Sequence, residues 1–390
     1  MRNKAIITPN ILRWARETSK MPIETVALKI KVKEEKIDLW EKGNDYPTIN
    51  QLEKLSKLYR RPISIFYLPE PPFDFQTLRD FRKSSDFKEY STALTFIIRD
   101  IQSKQSWISD FLKEESEQPL DFIGKFNKND DFKFIAKNIK KVLEIDDHYH
   151  NNDILKYWTD KIEQKGIFVS LTSNIHSHLK IDIEEVKGFA ITDKYAPFIF
   201  INSADSKNSQ LFSLIHELAH LWINTSGVSA FNFIDFRDTK DLNKYDPIEI
   251  LCNKVAAEIL MPKELITDLF KPNREITPEI IERKAREIKV SSFALLVRLV
   301  NMNIISTTKF NSYKKVFNEK YEAYLEKQAK KPKQKGGPSY YILKIRKNSR
   351  AFTSFIYGNY KSGKISGYEA NKLLDIKVSN FKNLEKHLYA

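Results

Sequence analysis

The twelve residues "LFSLIHELAHLW", 211–222, constrain this chain more than any other stretch. Apart from Ser213, His216, Glu217 and His220, every residue in it is apolar. A helix that is apolar all round packs inside a domain rather than on its surface. His216 and His220 lie four residues apart, about one helical turn, so both imidazoles project from one face. Buried polar groups need partners, and one metal ion would satisfy both rings. Glu217 sits beside them, where a carboxylate can take a proton from water attacking a peptide carbonyl. The stretch therefore predicts a buried helix carrying the beginnings of a catalytic metal site.

Two histidines do not complete such a site, because the two-histidine, one-glutamate zinc centres draw a third ligand from a second helix. The segment "DPIEILCNKVAAEILMPKEL" supplies a candidate helix beginning near Pro247 and ending before Pro262. Glu249 and Glu258 are its acidic residues. They lie nine positions apart, about two and a half turns, and face different sides. Spacing alone leaves both open. Asn253 falls one turn after Glu249, placed to hold a ligand by a hydrogen bond. Glu258 has no equally obvious companion. His148 and His150 in "DDHYHNN" alternate within a polar loop, a poor metal pattern.

Composition sets the surroundings. At 390 residues the chain is long enough for two to four domains. One cysteine, Cys252, excludes an intramolecular disulfide framework and fits a reducing compartment, as a small buried core residue. No apolar run follows "MRNK", and no stretch of about eighteen apolar residues exists, so a cytoplasmic location without membrane contact is expected. The net charge of +14 is concentrated at the end of the chain. Residues 327–390 carry 15 Lys or Arg against three Asp or Glu. That surplus suits nucleic acid or an acidic partner, or simply a solvated surface.

Periodicity divides the chain into five parts. Residues 1–72 read as short helices joined by tight turns, with Gly43 breaking the third and Pro47 setting the next turn. Thr8 or Asn10 is available to cap the first. Residues 73–150 read as a charged helical connector, with Leu94, Ile97, Ile98, Ile101 and Trp107 at helical spacing. Within 151–270, "GIFVSL" and "VKGFAITDKYAPFIFINS" predict two or three strands of a small, mostly antiparallel sheet ahead of the metal-bearing helices. Residues 271–326 hold two helices around "KVSS". Residues 327–390 form a basic C-terminal region that opens on a flexible linker, Lys327 to Pro338. The fold class is α+β.

Two resemblances sharpen this reading. "LWEKGNDYPTINQLEKLSKLYRRPISIF" resembles the Xre, or Cro/CI-type, helix-turn-helix domain. That resemblance implies DNA contact near Lys33 and Lys36, although Glu24, Glu34 and Glu35 beside them would be repelled by phosphate; a helical docking module is the alternative. "LFSLIHELAHLW" followed by "EILCNKVAAEILMP" resembles the ImmA/IrrE family of zinc metallopeptidases. This implies a gluzincin-like domain holding one catalytic Zn2+ through His216, His220 and Glu249, with Glu217 as general base. It also implies a protein substrate, such as a transcriptional repressor, or in fused relatives an antitoxin role beside a toxin partner. An edge strand of the sheet could hold an extended substrate. Three positions depart from the family pattern: Cys252 stands for Ala, Val255 for Phe, and Ser209 where many relatives have Arg. Arg298 and Leu299 match the family's usual Arg-Leu pair.

Overall fold

The computed structural model describes residues 3–72, 78–80, 89–146, 152–176, 179–229, 246–270, 275–330 and 337–389. His148 and His150 lie outside the described residues. The chain divides into two compact units, one of residues 1–77, 87–103 and 174–181, the other of residues 78–86, 104–173 and 182–390. Among the described residues, no helix is long and apolar enough to cross a membrane.

The first unit is built on helices α1 (Pro9–Thr18), α2 (Ile23–Ile30), α3 (Glu34–Glu41) and α4 (Ile49–Tyr59). Their apolar faces meet through Ile11, Leu12, Val26, Ile30, Ile37, Trp40, Leu52 and Leu55, all buried. Each helix stops for a local reason. Lys31 enters the left-handed region at φ 61° and ends α2. Gly43, at φ +75°, turns the chain after α3, and a side chain there would press on Pro9. Thr48 and Gln51 form a reciprocal capping box that starts α4. At α1, Thr8 occupies the cap position without capping, since its hydroxyl donates to the Leu68 carbonyl at 2.7 Å. A short hairpin, β3 (Asn174–His176) with β4 (Leu179–Lys180), also belongs to this unit.

The second unit is organised by a five-stranded sheet. Its strands are β1 (Arg79–Asp80), β2 (Phe168–Thr172), β5 (Gly188–Ile191), β6 (Phe198–Asn202) and β7 (Gly227–Ser229), in the order β1-β7-β5-β6-β2. The mostly antiparallel expectation holds only for the middle. β5 pairs antiparallel with β6 and β7, while β2 joins β6 and β1 joins β7 in parallel. The sheet is therefore mixed. β5 and β6 are buried at every position, as strands covered on both faces must be. Val169, Ala190, Ile199 and Ile201 face the helical core, whereas Phe168 and Phe198 stack on the opposite face against Phe352.

The helices of this unit are α6 (Phe132–Val142), α7 (Ile154–Gln164), α8 (Lys207–Trp222), α9 (Pro247–Leu260), α10 (Lys263–Leu269), α11 (Pro278–Glu287), α12 (Ser292–Asn301) and α13 (Thr307–Lys330). The connector's long helix, α5, spans Thr92–Glu114. Because α13 runs to Lys330, the first four residues of the expected flexible linker are helical. The basic C-terminal region is not a solvated tail. It forms α14 (Tyr340–Asn348), α15 (Arg350–Lys361), α16 (Gly367–Leu374) and α17 (Phe381–Leu388), which close over β2 and α7. Phe352, Ile356, Leu374 and Leu384 are buried there. The lysines that dominate this stretch lie mostly on the outer faces of its short helices.

Candidate metal centre

Ser206 starts α8 by accepting from the Ser209 amide, and Ser209 itself bonds Asp205 rather than pointing to the centre. From Leu211 to Trp222 every residue is buried. The far end of the helix is held by Trp222, which stacks on Phe122 at 4.7 Å and donates to Asn138 Oδ1 at 2.9 Å. Helix α9 starts at Asp246, whose carboxylate accepts from the Ile248 amide at 2.9 Å, with Pro247 in its first turn. The two helices pack side by side, and their facing polar residues converge.

His216 Nε2 and His220 Nε2 approach to 3.0 Å. Glu249 lies across from both, with Oε2 3.3 Å from His216 Nε2 and Oε1 3.0 Å from His220 Nε2. The other ring nitrogens are engaged elsewhere. His216 Nδ1 donates to Asn253 Oδ1 at 3.2 Å. The Thr225 hydroxyl donates to the His220 carbonyl at 3.4 Å, so its oxygen accepts from His220 Nδ1 at 2.9 Å. Both Nε2 atoms thus present lone pairs toward each other and toward a carboxylate. Such a donor set fits a shared cation and disfavours being left without one. Burial drives the pKa of His216 down to about 4 despite the opposing pull of Glu249, which keeps the ring neutral, as a ligand must be.

Glu217 is fully buried one residue along the same helix. Its carboxylate packs on Gly188 of β5. A Cβ at Gly188 would sit 3.0 Å from Glu217 Oε1 and 2.9 Å from the Phe200 carbonyl oxygen. Glycine at that strand position makes room for the carboxylate. Cys252 is also buried, and its thiol pKa is pushed well up, first by burial and then by the negative charge of Glu249, Glu217 and Asp246. Its Sγ and one ring nitrogen each from His216 and His220 all lie within 4.8 Å of one another.

The structure separates the two glutamates that spacing could not. Glu249 faces the histidines, whereas Glu258 pairs with Arg298, which also donates to the Met261 carbonyl at 2.9 Å. Arg298 thereby ties α12 to the end of α9. Asn253 holds His216 rather than Glu249. Lys33 and Lys36 are exposed, and Lys36 is paired with Asp45 at 2.8 Å. Sequence reasoning missed Thr225 and Gly188. Thr225 lies past the end of α8, outside any helical spacing, and Gly188 carries no side chain to signal its role.

Paired imidazoles and a carboxylate on two packed helices define a candidate metal centre of the metallopeptidase kind. Residues 172–300, about a third of the chain, match the family model described as the IrrE N-terminal-like domain, Peptidase_M78. The matched segment contains β5, β6, α8 and α9, and it points to a peptidase. No curated protein matches the chain.

Proposed function

We propose that the chain is a zinc-dependent endopeptidase whose ion is held by His216, His220 and Glu249. The observation that carries this reading is the convergence of both Nε2 atoms and the Glu249 carboxylate at 3.0–3.3 Å. A bound zinc ion would act as a Lewis acid, polarising a peptide carbonyl and lowering the pKa of water. Asn253 and Thr225 fix which nitrogen of each ring faces the ion. Glu217 takes the proton of the attacking water and passes it to the leaving amine nitrogen. The packing of Gly188 against its side chain keeps that carboxylate in place.

The N-terminal helices are proposed to be an Xre-type module that brings a protein substrate, such as a repressor, to the peptidase. Support comes from the tight turn at Gly43 and the capping box at Thr48 and Gln51. Glu34 and Glu35 at the start of α3, and the engagement of Lys36 by Asp45, favour a protein-docking role over phosphate contact.

The reading is tested by the zinc content of the purified full chain. Near-stoichiometric zinc is expected in the parent and in Glu258→Gln, with loss in Glu249→Gln. A parent that takes up no zinc, or a dependence on Glu258 instead, would overturn the ligand set.

A further inference from the structure

We infer that Cys252 Sγ is a fourth protein donor to the ion held by His216, His220 and Glu249, so that the centre as folded is closed by sulfur. The inference rests on the metal-centre reading above and concerns how that centre is kept at rest.

Helix α9 carries both Glu249 and Cys252. Glu249 and Cys252 are three residues apart, and the side chains of such pairs project over neighbouring parts of one helical face. Glu249 reaches both Nε2 atoms, and Cys252 brings its sulfur to the same two rings. The distances agree. Sγ and a ring nitrogen of each histidine lie within 4.8 Å of one another. A tetrahedral zinc ion, with bonds of about 2.0–2.1 Å to nitrogen and about 2.3 Å to sulfur, would space these donors roughly 3.3–3.6 Å apart. The two Nε2 atoms, at 3.0 Å, are already near that spacing. The sulfur lies no more than 4.8 Å from a nitrogen of each ring, within reach of that spacing.

Chemistry points the same way. Zinc takes thiolate readily, and a buried sulfur surrounded by other donors has few alternative uses. As the metal–sulfur bond forms, the S–H bond breaks and its proton leaves to solvent. Four protein donors make a closed shell of the kind that structural zinc sites have, whereas catalysis needs one position open to water. Release of Cys252 would therefore open the centre, and its retention would hold the peptidase at rest. Soft divalent ions, cadmium above all, would be favoured over magnesium or manganese.

Cobalt(II) substitution of the metal-stripped full chain tests this. Because Cys252 is the only cysteine, a thiolate-to-cobalt charge-transfer band in the near ultraviolet can arise from no other residue. The expected result is that band in the parent, together with visible d–d bands. In Cys252→Ala the near-ultraviolet band is lost while the d–d bands remain. Cobalt d–d bands in the parent without the charge-transfer band would overturn the sulfur donor and leave the histidine–glutamate centre standing. Failure of the folded parent to take up cobalt at all would overturn the metal centre itself, and the sulfur donor with it.

Discussion

Glu41 in the N-terminal helices and Glu249 in the candidate metal centre are both buried carboxylates, and the chain treats them in opposite ways. Glu41 receives a complete partner. The Arg16 guanidinium donates through Nε at 2.7 Å and Nη2 at 2.9 Å, a two-pronged bond that leaves the charge neutralised inside the unit. Glu249 instead faces two imidazoles whose lone pairs point at it. A third carboxylate, Glu163 of α7, has neither arrangement. It accepts from Ser349 Oγ at 2.5 Å and from the backbone amides of Ala351 and Val169 at 3.2 and 3.4 Å. Hydrogen bonds alone do not offset its burial, which raises the pKa to about 7. A buried acid closed by arginine is structural, one met by dipoles titrates near neutrality, and one surrounded by other electron-pair donors marks a place for a cation.

The contrast can be broken at several points. The largest effect is expected at Glu217, the one carboxylate assigned to proton transfer. Glu217→Gln should lower peptide cleavage by about 10²–10⁴-fold while leaving zinc content unchanged, checked by turnover and metal analysis side by side. Equal activity in that variant would remove Glu217 from the chemistry.

Next comes the closed pair. Glu41→Ala leaves Arg16 buried without its partner and should cost about 3 kcal/mol in denaturant unfolding. Replacing both residues, Arg16→Met with Glu41→Leu, should recover most of that loss. No comparable double replacement at His216 and Glu249 should recover zinc. A double variant at Arg16 and Glu41 as unstable as the single one would show that the pair is more than a mutual neutralisation.

The titrating acid gives a pH signature. The folded pKa of Glu163 is raised above its ordinary value of 4.5, to about 7. Its contribution to stability is therefore present below pH 4.5 and is lost as pH rises through 7. Stability of the parent relative to Glu163→Gln should fall by up to about 3 kcal/mol between pH 5 and pH 8, followed by chemical denaturation at each pH. Parallel curves for the two proteins would remove Glu163 as the source. The smallest effect is expected at Gly188, where Gly188→Ala forces a methyl against the Phe200 carbonyl and Glu217. It should cost about 1–3 kcal/mol of stability and lower turnover more than it lowers zinc content.

Much of the centre was legible in the chain because it is local. In any α-helix, residues four apart share a face, so His216 and His220 were bound to meet once "LFSLIHELAHLW" became helical. The glycine break at Gly43 was legible for the same reason, whereas the cap at Thr48 emerged only in the structure. The remaining features depend on how elements rotate and pair. Charge dominates the composition of residues 327–390, yet their apolar positions bury Phe352 against Phe168 and Phe198 and bring Ser349 to Glu163. Short helices with lysine-rich outer faces carry too few apolar residues each for the pattern to stand out.

What the sequence determined by itself was therefore the helix, its burial and the shared face of two histidines and a glutamate, since backbone hydrogen bonding sets those within a few residues. Only the tertiary structure decided the rest. It turned α9 so that Glu249 faces the histidines of α8 and Glu258 faces Arg298. It brought Thr225 to His220, Asn253 to His216 and Cys252 to both rings. It also set β2 parallel to β6, pairing Phe168 with Phe198. Helix rotation and strand pairing are fixed by the packing of distant surfaces, and no local spacing encodes which surfaces those will be.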